Sequence, residues 1–115
     1  MNDLELLSMI LPGGILEYFR VTGFKKEEDV SFIDLEEKNI PPEQYKDQKL
    51  ISKGFYEPIT IQDYPLRGKP FFLRVKRRRW TIEETGQIVS RDWNIVARGT
   101  RLTEDFATFL KGINR

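Results

Sequence analysis

Five of the six residues from Arg74 to Arg79 are basic, and they sit inside the run Phe71-Phe72-Leu73-Arg74-Val75-Lys76-Arg77-Arg78-Arg79-Trp80. Taken as a strand, the two-residue period puts Phe71, Leu73 and Val75 on one face and Phe72, Arg74, Lys76, Arg78 and Trp80 on the other. The first is a core face. The second interleaves cations with aromatic rings, the combination that holds phosphates while stacking on sugars or bases. Charges packed this closely repel, so the fold must leave them in water or supply counter-charges. A hairpin centred on Thr85-Gly86 would supply some, because residues whose numbers sum to 171 then face each other: Arg79 with Asp92, Trp80 with Arg91 and Arg78 with Trp93. Such contacts are worth a few tenths to about 1 kcal/mol each and form a purely structural alternative. Asp92 neutralises one charge only and Glu83 and Glu84 sit several residues away at the turn, so the remaining cations are expected to face phosphates, with a solvated strand edge as the alternative.

A second basic pair, Arg98 and Arg101, flanks Gly99-Thr100 ahead of a predicted helix. Free backbone N–H groups at a helix start, reinforced by two guanidiniums, suit a phosphate. Glu104 and Asp105 already occupy that positive end, and ordinary surface capping is the alternative there.

Catalytic chemistry has little to work with. The chain contains no histidine and no cysteine, so the usual general base near neutral pH, the thiolate nucleophile and the two commonest zinc ligands are missing. Glu27, Glu28, Asp29, Asp34, Glu36 and Glu37 are the remaining candidates for a magnesium site, but a charge run around a hairpin tip is more often a solvated face. There is no P-loop and no G-x-G-x-x-G motif. The expectation is a protein that is not an enzyme and carries no cofactor.

The elements that must position the basic residues follow from periodicity. Asn2 and Asp3 are placed to cap a helix with apolar Leu4, Leu7, Ile10 and Leu11, which Pro12-Gly13-Gly14 ends. Ile15, Leu16, Tyr18 and Phe19 allow one more turn. Arg20 to Lys25 and Val30 to Leu35 read as a hairpin with Lys26-Glu27-Glu28-Asp29 at its tip. Glu36 to Lys49 reads as a solvated connection with a helical turn starting at Pro42. Strands are expected from Leu50 to Tyr56, Pro58 to Gln62, Phe71 to Ile82 and Gln87 to Ala97, with a reversal at Asp63 to Gly68. A last helix begins near Thr103 and carries Phe106, Phe109, Leu110 and Ile113 on one face, and Lys111 to Arg115 read as a junction where the domain stops. The predicted class is α+β: an N-terminal helix, antiparallel hairpins forming a small sheet with a metal-free, ribbon-like hairpin, and a C-terminal helix.

At 115 residues, 39% hydrophobic and 32% charged, the chain suits one domain with one core. Within it, residues 1–49 would supply the helix, the acidic hairpin and the linker, and residues 50–115 the basic hairpins and last helix. The net charge of +1 hides an asymmetry. Residues 1–60 carry 7 basic and 12 acidic side chains, a net of −5, and residues 61–115 carry 12 basic and 6 acidic, a net of +6. The basic half would steer a polyanion; alternatively, the two halves attract each other in the fold. The apolar runs are too short to span a bilayer, and the start of the chain has Asp3 and Glu5 where a secretory signal has Lys or Arg. The absence of cysteine fits a reducing compartment, so a cytoplasmic protein with no membrane partner is expected.

Three stretches carry a family resemblance: Lys53-Gly54-Phe55-Tyr56, Ile59-Thr60-Ile61-Gln62-Asp63-Tyr64-Pro65-Leu66-Arg67-Gly68-Lys69-Pro70, and Leu73 to Trp80. They resemble the N-terminal module of bacterial insertion-sequence transposases that begin with a zinc ribbon, where an Asp-aromatic-or-Leu-Pro turn and a Gly lead into a basic strand ending Arg-Arg-aromatic. Arg98 to Phe106 looks like that family's passage into a helical DNA-binding segment. Glu37 to Pro42, Val89 to Asn94 and the ending Ile113-Asn114-Arg115 look like a subgroup in which this region is its own short reading frame beside the catalytic one. The broad likeness covers roughly residues 50–115, and the subgroup's nearly the whole chain. The family's ribbon cysteines are replaced here by Ile51, Ser52, Thr81 and Ile82, so no zinc is carried over. The family's catalytic carboxylates lie in an RNase-H-like domain that a chain of this length does not contain.

The resemblance implies a non-catalytic module that recognises DNA, the terminal repeats of the element, and acts in transposition with a separate catalytic transposase chain. Lys69, Arg74, Lys76, Arg78, Arg98 and Arg101 would meet phosphates, with Phe72 and Trp80 packing on the nucleic acid. The alternative is a protein-binding module for the catalytic chain that never touches DNA, with Phe72, Trp80 and Trp93 as its hot spot and the arginines as a polar rim.

Overall fold

Apolar residues alternate through most of the chain, and β-structure dominates the result. The computed structural model describes residues 9–11, 13–93 and 104–111. Among these, seven strands form two sheets, accompanied by two short α-helices and one 3-10 turn. The chain is therefore mixed but mostly β. The expected N-terminal helix, its cap at Asn2 and Asp3 and the cap at Thr103 fall on or extend into residues outside this description, and the last predicted strand, expected from Gln87 to Ala97, already ends at Ser90 because Arg91 to Trp93 leave the sheet.

Helix α1 (Ile15–Tyr18) is a single turn that leads directly into strand β1 (Phe19–Glu27). A two-residue turn, with Glu28 at φ 52°, returns the chain as β2 (Val30–Glu37). This is the expected acidic hairpin, extended at both ends. After the 3-10 turn Glu43–Tyr45, entered from Pro42, come β3 (Leu50–Phe55) and β4 (Ile59–Leu66). Arg67-Gly68, both at positive φ, then reverse the chain into β5 (Lys69–Lys76), a two-residue turn whose twist matches the flanking strands. Strands β6 (Arg78–Ile82) and β7 (Ile88–Ser90) follow, and helix α2 (Glu104–Lys111) is the last element described.

The four-stranded sheet has the order β1-β2-β5-β4, and the three-stranded sheet the order β3-β6-β7. Here the sheet departs from the expectation of antiparallel hairpins alone. Strands β2 and β5 run parallel, in the register Phe32↔Phe72, Asp34↔Arg74 and Glu36↔Lys76. The acidic strand of the first half thus lies directly beside the basic strand of the second. That is the electrostatic attraction between halves realised at the level of single residue rows.

The predicted strand from Phe71 to Ile82 is two strands in two sheets. Phe71, Leu73, Val75 and Arg77 are buried, and so are Trp80 and Ile82. The inward parity therefore changes between Arg77 and Trp80, because the chain breaks at Arg77 and crosses from one sheet to the other. The inner face of the larger sheet (Ile33, Leu35, Ile59, Ile61, Phe71, Leu73, Val75) packs with Ile15, Phe19, Trp93 and the Phe106, Ala107, Leu110 side of α2. A smaller core of Trp80, Ile82 and Val89 is covered by Tyr45 and Leu50.

Hairpin β6–β7 corrects the anticipated register. Arg79 pairs with Ser90, Trp80 with Val89 and Thr81 with Ile88, so facing residues sum to 169 and Asp92 lies beyond the strand. The reason is the turn. Gly86 N–H donates to Ile82 O at 2.7 Å, closing a helical turn over Glu83-Glu84-Thr85, and Gly86, at φ 76°, acts as the left-handed exit from that turn. A five-residue connection of this kind moves the centre of the hairpin one residue towards the N-terminus of the Thr85-Gly86 position.

Candidate functional site

The basic residues chosen from the sequence divide between two environments. Phe72, Arg74 and Lys76 share the outer face of the larger sheet, as their spacing implies. On this face the Phe32 and Phe72 rings stack at 5.4 Å and 21°, and the Arg74 guanidinium lies 5.2 Å from the Phe32 ring centre. Arg74 donates to both carboxylate oxygens of Asp34, from Nε at 2.8 Å and from Nη2 at 3.3 Å. Lys76 Nζ lies 3.9 Å from Glu36, which Arg20 also approaches, at 3.3 Å. Lys69, at the start of β5, donates to Asp29 at 3.0 Å. Each of these cations has a carboxylate within 4 Å, and Glu36 is shared by Lys76 and Arg20.

Parallel pairing with β2 supplies these counter-charges. Asp34 and Glu36 of β2, and Asp29 in the turn before it, which look like a solvated run in the sequence, approach Arg74, Lys76 and Lys69, with Glu36 also reached by Arg20. A shallow cavity of about 300 Å³ opens on this face, lined by Thr22, Asp34, Leu35, Pro58, Arg74 and Lys76. Its wall contains the Asp34–Arg74 pair, so cation and anion are present together.

Arg78 and Trp80 do not belong to that face. Beyond the break at Arg77 the Arg78 side chain turns into the junction of the two sheets, donating from Nε to Glu37 O at 3.1 Å and from Nη1 to Ser52 Oγ, with its guanidinium 4.6 Å from the Phe55 ring centre. Trp80 is fully buried and donates from Nε1 to Asn39 Oδ1 at 2.9 Å. It has no surface to offer a nucleic acid. Trp93 is buried too, stacked on Phe19 at 5.2 Å and edge-on to Tyr18 at 5.9 Å, which removes two of the three aromatics from the alternative hot spot. Arg79 donates to Lys53 O at 3.1 Å and lies 5.7 Å from the Tyr56 ring centre, and is opposite Ser90 instead of Asp92. Arg98 and Arg101 lie outside the described residues.

Sequence reasoning missed the group that joins the sheets. Glu37, the last residue of β2, is buried and accepts from Arg91 Nε at 2.8 Å and from the Arg78 backbone N–H at 2.9 Å. Arg91 also donates to Ile40 O, and its guanidinium sits among Tyr18, Trp80 and Trp93 at 4.8 to 5.7 Å. Burial pushes the Glu37 carboxyl above its ordinary value, and Arg91 opposes that shift. Nearby, Arg77 is buried and caps the end of α2 by donating from Nη1 to Leu110 O at 3.0 Å. Desolvation lowers its pKa. Among the described residues no three metal-ligating side chains come together, and no helix is long and apolar enough to cross a membrane.

Comparison with family models, with curated proteins and with solved structures gives no match.

Proposed function

We propose that the chain is a non-catalytic binding module of a two-chain insertion-sequence transposase, and that its principal ligand is the catalytic chain. The transposase assignment rests on the sequence resemblance. The choice of ligand rests on one observation: Lys69, Arg74 and Lys76 are each held by a carboxylate, Asp29, Asp34 and Glu36. A surface that gains affinity by releasing counterions from DNA needs uncompensated cations, so this face speaks against DNA as the main ligand, and the catalytic chain's contact lies elsewhere on the molecule. Ile51 and Ile88, 46% and 50% exposed, flank Thr81 in one row across the outer face of the smaller sheet. They replace buried Trp80 and Trp93 as apolar anchors for the catalytic chain. The ribbon-like part of the fold is then β3, β6 and β7, a sheet with the Trp80 core beneath it.

DNA-end recognition is the second reading. The half-buried Phe32–Phe72 stack beside Arg74 favours it, since ring faces next to guanidiniums suit single-stranded or distorted DNA. Titration of the chain against duplex terminal repeats over a range of salt, with and without the catalytic chain, separates the two. Partner binding should be lost in Ile51→Asp/Ile88→Lys, while any duplex binding should keep its salt slope in Arg74→Gln/Lys76→Gln. A slope shallower by about 0.9 per removed cation in the latter variant would establish DNA contact instead.

A further inference from the structure

The outer face of the larger sheet has a charge order that complements itself. Row by row, β2 and β5 present Phe32 beside Phe72, Asp34 beside Arg74 and Glu36 beside Lys76, so acids lie in one column and cations in the next. Antiparallel neighbours put Lys25 of β1 in the Phe32 row, Gly23 in the Asp34 row, and Gln62 and Thr60 of β4 in the Phe72 and Arg74 rows. No described element packs over these residues, whereas the opposite face is filled by α1, α2 and Trp93.

We propose that this face pairs with the same face of a second copy of the chain, about a two-fold axis running along the strands between β2 and β5. That axis places β2 of one copy opposite β5 of the other without changing the row. Asp34 then meets the other copy's Arg74, Glu36 meets Lys76, and the two Phe32–Phe72 stacks meet across the axis at one end of these rows. Lys25 confronts neutral Gln62, and Gly23 confronts Thr60. No like charges oppose each other. A two-fold axis across the strands would instead set acid column on acid column and cation column on cation column, so the charge order selects one orientation. A closed two-fold contact uses the same patch twice, which is what a self-complementary surface requires.

Four strands spaced about 4.8 Å apart over about six residues make a patch of roughly 400 Å² per copy in projection. This is about half of what a standard interface buries per partner, and it sets a reversible, concentration-dependent association. The contact is separate from the Ile51–Ile88 row assigned to the catalytic chain.

The test is sedimentation velocity of the full chain over a wide concentration range, on wild type, Asp34→Arg, Arg74→Asp and an equimolar mixture of the two variants. Wild type should dimerise, and each variant alone should be at least tenfold weaker, since every Asp34–Arg74 contact becomes like against like. The mixture should recover association, because the cation-rich face of Asp34→Arg meets the acid-rich face of Arg74→Asp. Recovery in the mixture also shows that both variants are folded. A wild type that stays monomeric throughout, or a mixture no tighter than its components, overturns the proposal. Ile51→Asp/Ile88→Lys should still dimerise, which separates failure here from failure of the catalytic-chain assignment.

Discussion

Arg91 Nε and Glu37 Oε2 form an ion pair at 2.8 Å with side chains only 6% and 1% exposed, and this pair ties the smaller sheet to the larger one. Glu37 ends β2 of the larger sheet, while Arg91 immediately follows β7 of the smaller. A buried pair of this kind contributes little beyond what an apolar pair would, because desolvation offsets the attraction. Losing one member is another matter.

Arg91→Met should therefore cost about 3–5 kcal/mol, since it strands a buried carboxylate. The double variant Glu37→Leu/Arg91→Met should recover most of that loss. Denaturant melts of the three proteins check this. A single variant within about 1 kcal/mol of wild type would show that Glu37 gains water or a proton at little cost.

The raised Glu37 pKa fixes the sign of a pH effect. A carboxyl whose folded pKa exceeds its unfolded value binds its proton more tightly when folded. Its contribution to stability is full below the unfolded value and lost as pH rises through the folded one. Wild type should therefore lose stability relative to Glu37→Gln as pH rises through that window. Paired urea titrations at several pH values read the difference directly, and a difference that grows in wild type's favour with rising pH would contradict the desolvated carboxyl.

Gly23 sits in the Asp34 row, just after the bulge at Thr22, and a Cβ added there would stand 3.0 Å from Asp34 Oδ2. Gly23→Ala should push the Asp34 carboxylate away from Arg74. Since the side chains of that pair are still 36% and 39% exposed, the stability cost should stay below about 1 kcal/mol. The effect should appear in the Arg74 Nε proton resonance, which should lose its hydrogen-bonded shift while the rest of the amide spectrum stays in place.

The β1–β2 hairpin, the turn at Pro42, a reversal within Asp63 to Gly68, which the fold confines to Arg67-Gly68 while Asp63 to Leu66 continue β4, and the core positions Phe71, Leu73 and Val75 were legible because each depends on local chemistry or on a short run of alternation. The parallel pairing of β2 with β5 was not. Nothing near Asp34 or Arg74 in the chain records that 40 residues later the two become neighbours. The break at Arg77 was hidden for a related reason. A period-two pattern continues through it by residue type, and only the switch between sheets reverses which side is inward. Glu37 and Arg91 look like surface charges in the sequence, because their partners come from different elements.

The two tryptophans give the most direct check of that reversal. Sequence alternation puts Trp80 on the solvent face, whereas the fold buries it completely and holds its Nε1 on Asn39, and Trp93 is 3% exposed. The chain has no other tryptophan, so its fluorescence reports these two sites alone. Emission should be blue-shifted, resist quenching by iodide and acrylamide, and move to the red only on unfolding. Trp80→Phe should cost about 1–3 kcal/mol, because it leaves a gap in the small core of Ile82 and Val89 and removes the hydrogen bond to Asn39. Neither DNA nor a protein partner should alter the Trp80 signal, as no surface of this ring is available to either. Strong quenching of native Trp80 in a Trp93→Phe background would return the ring to the surface, and with it the single continuous strand from Phe71 to Ile82.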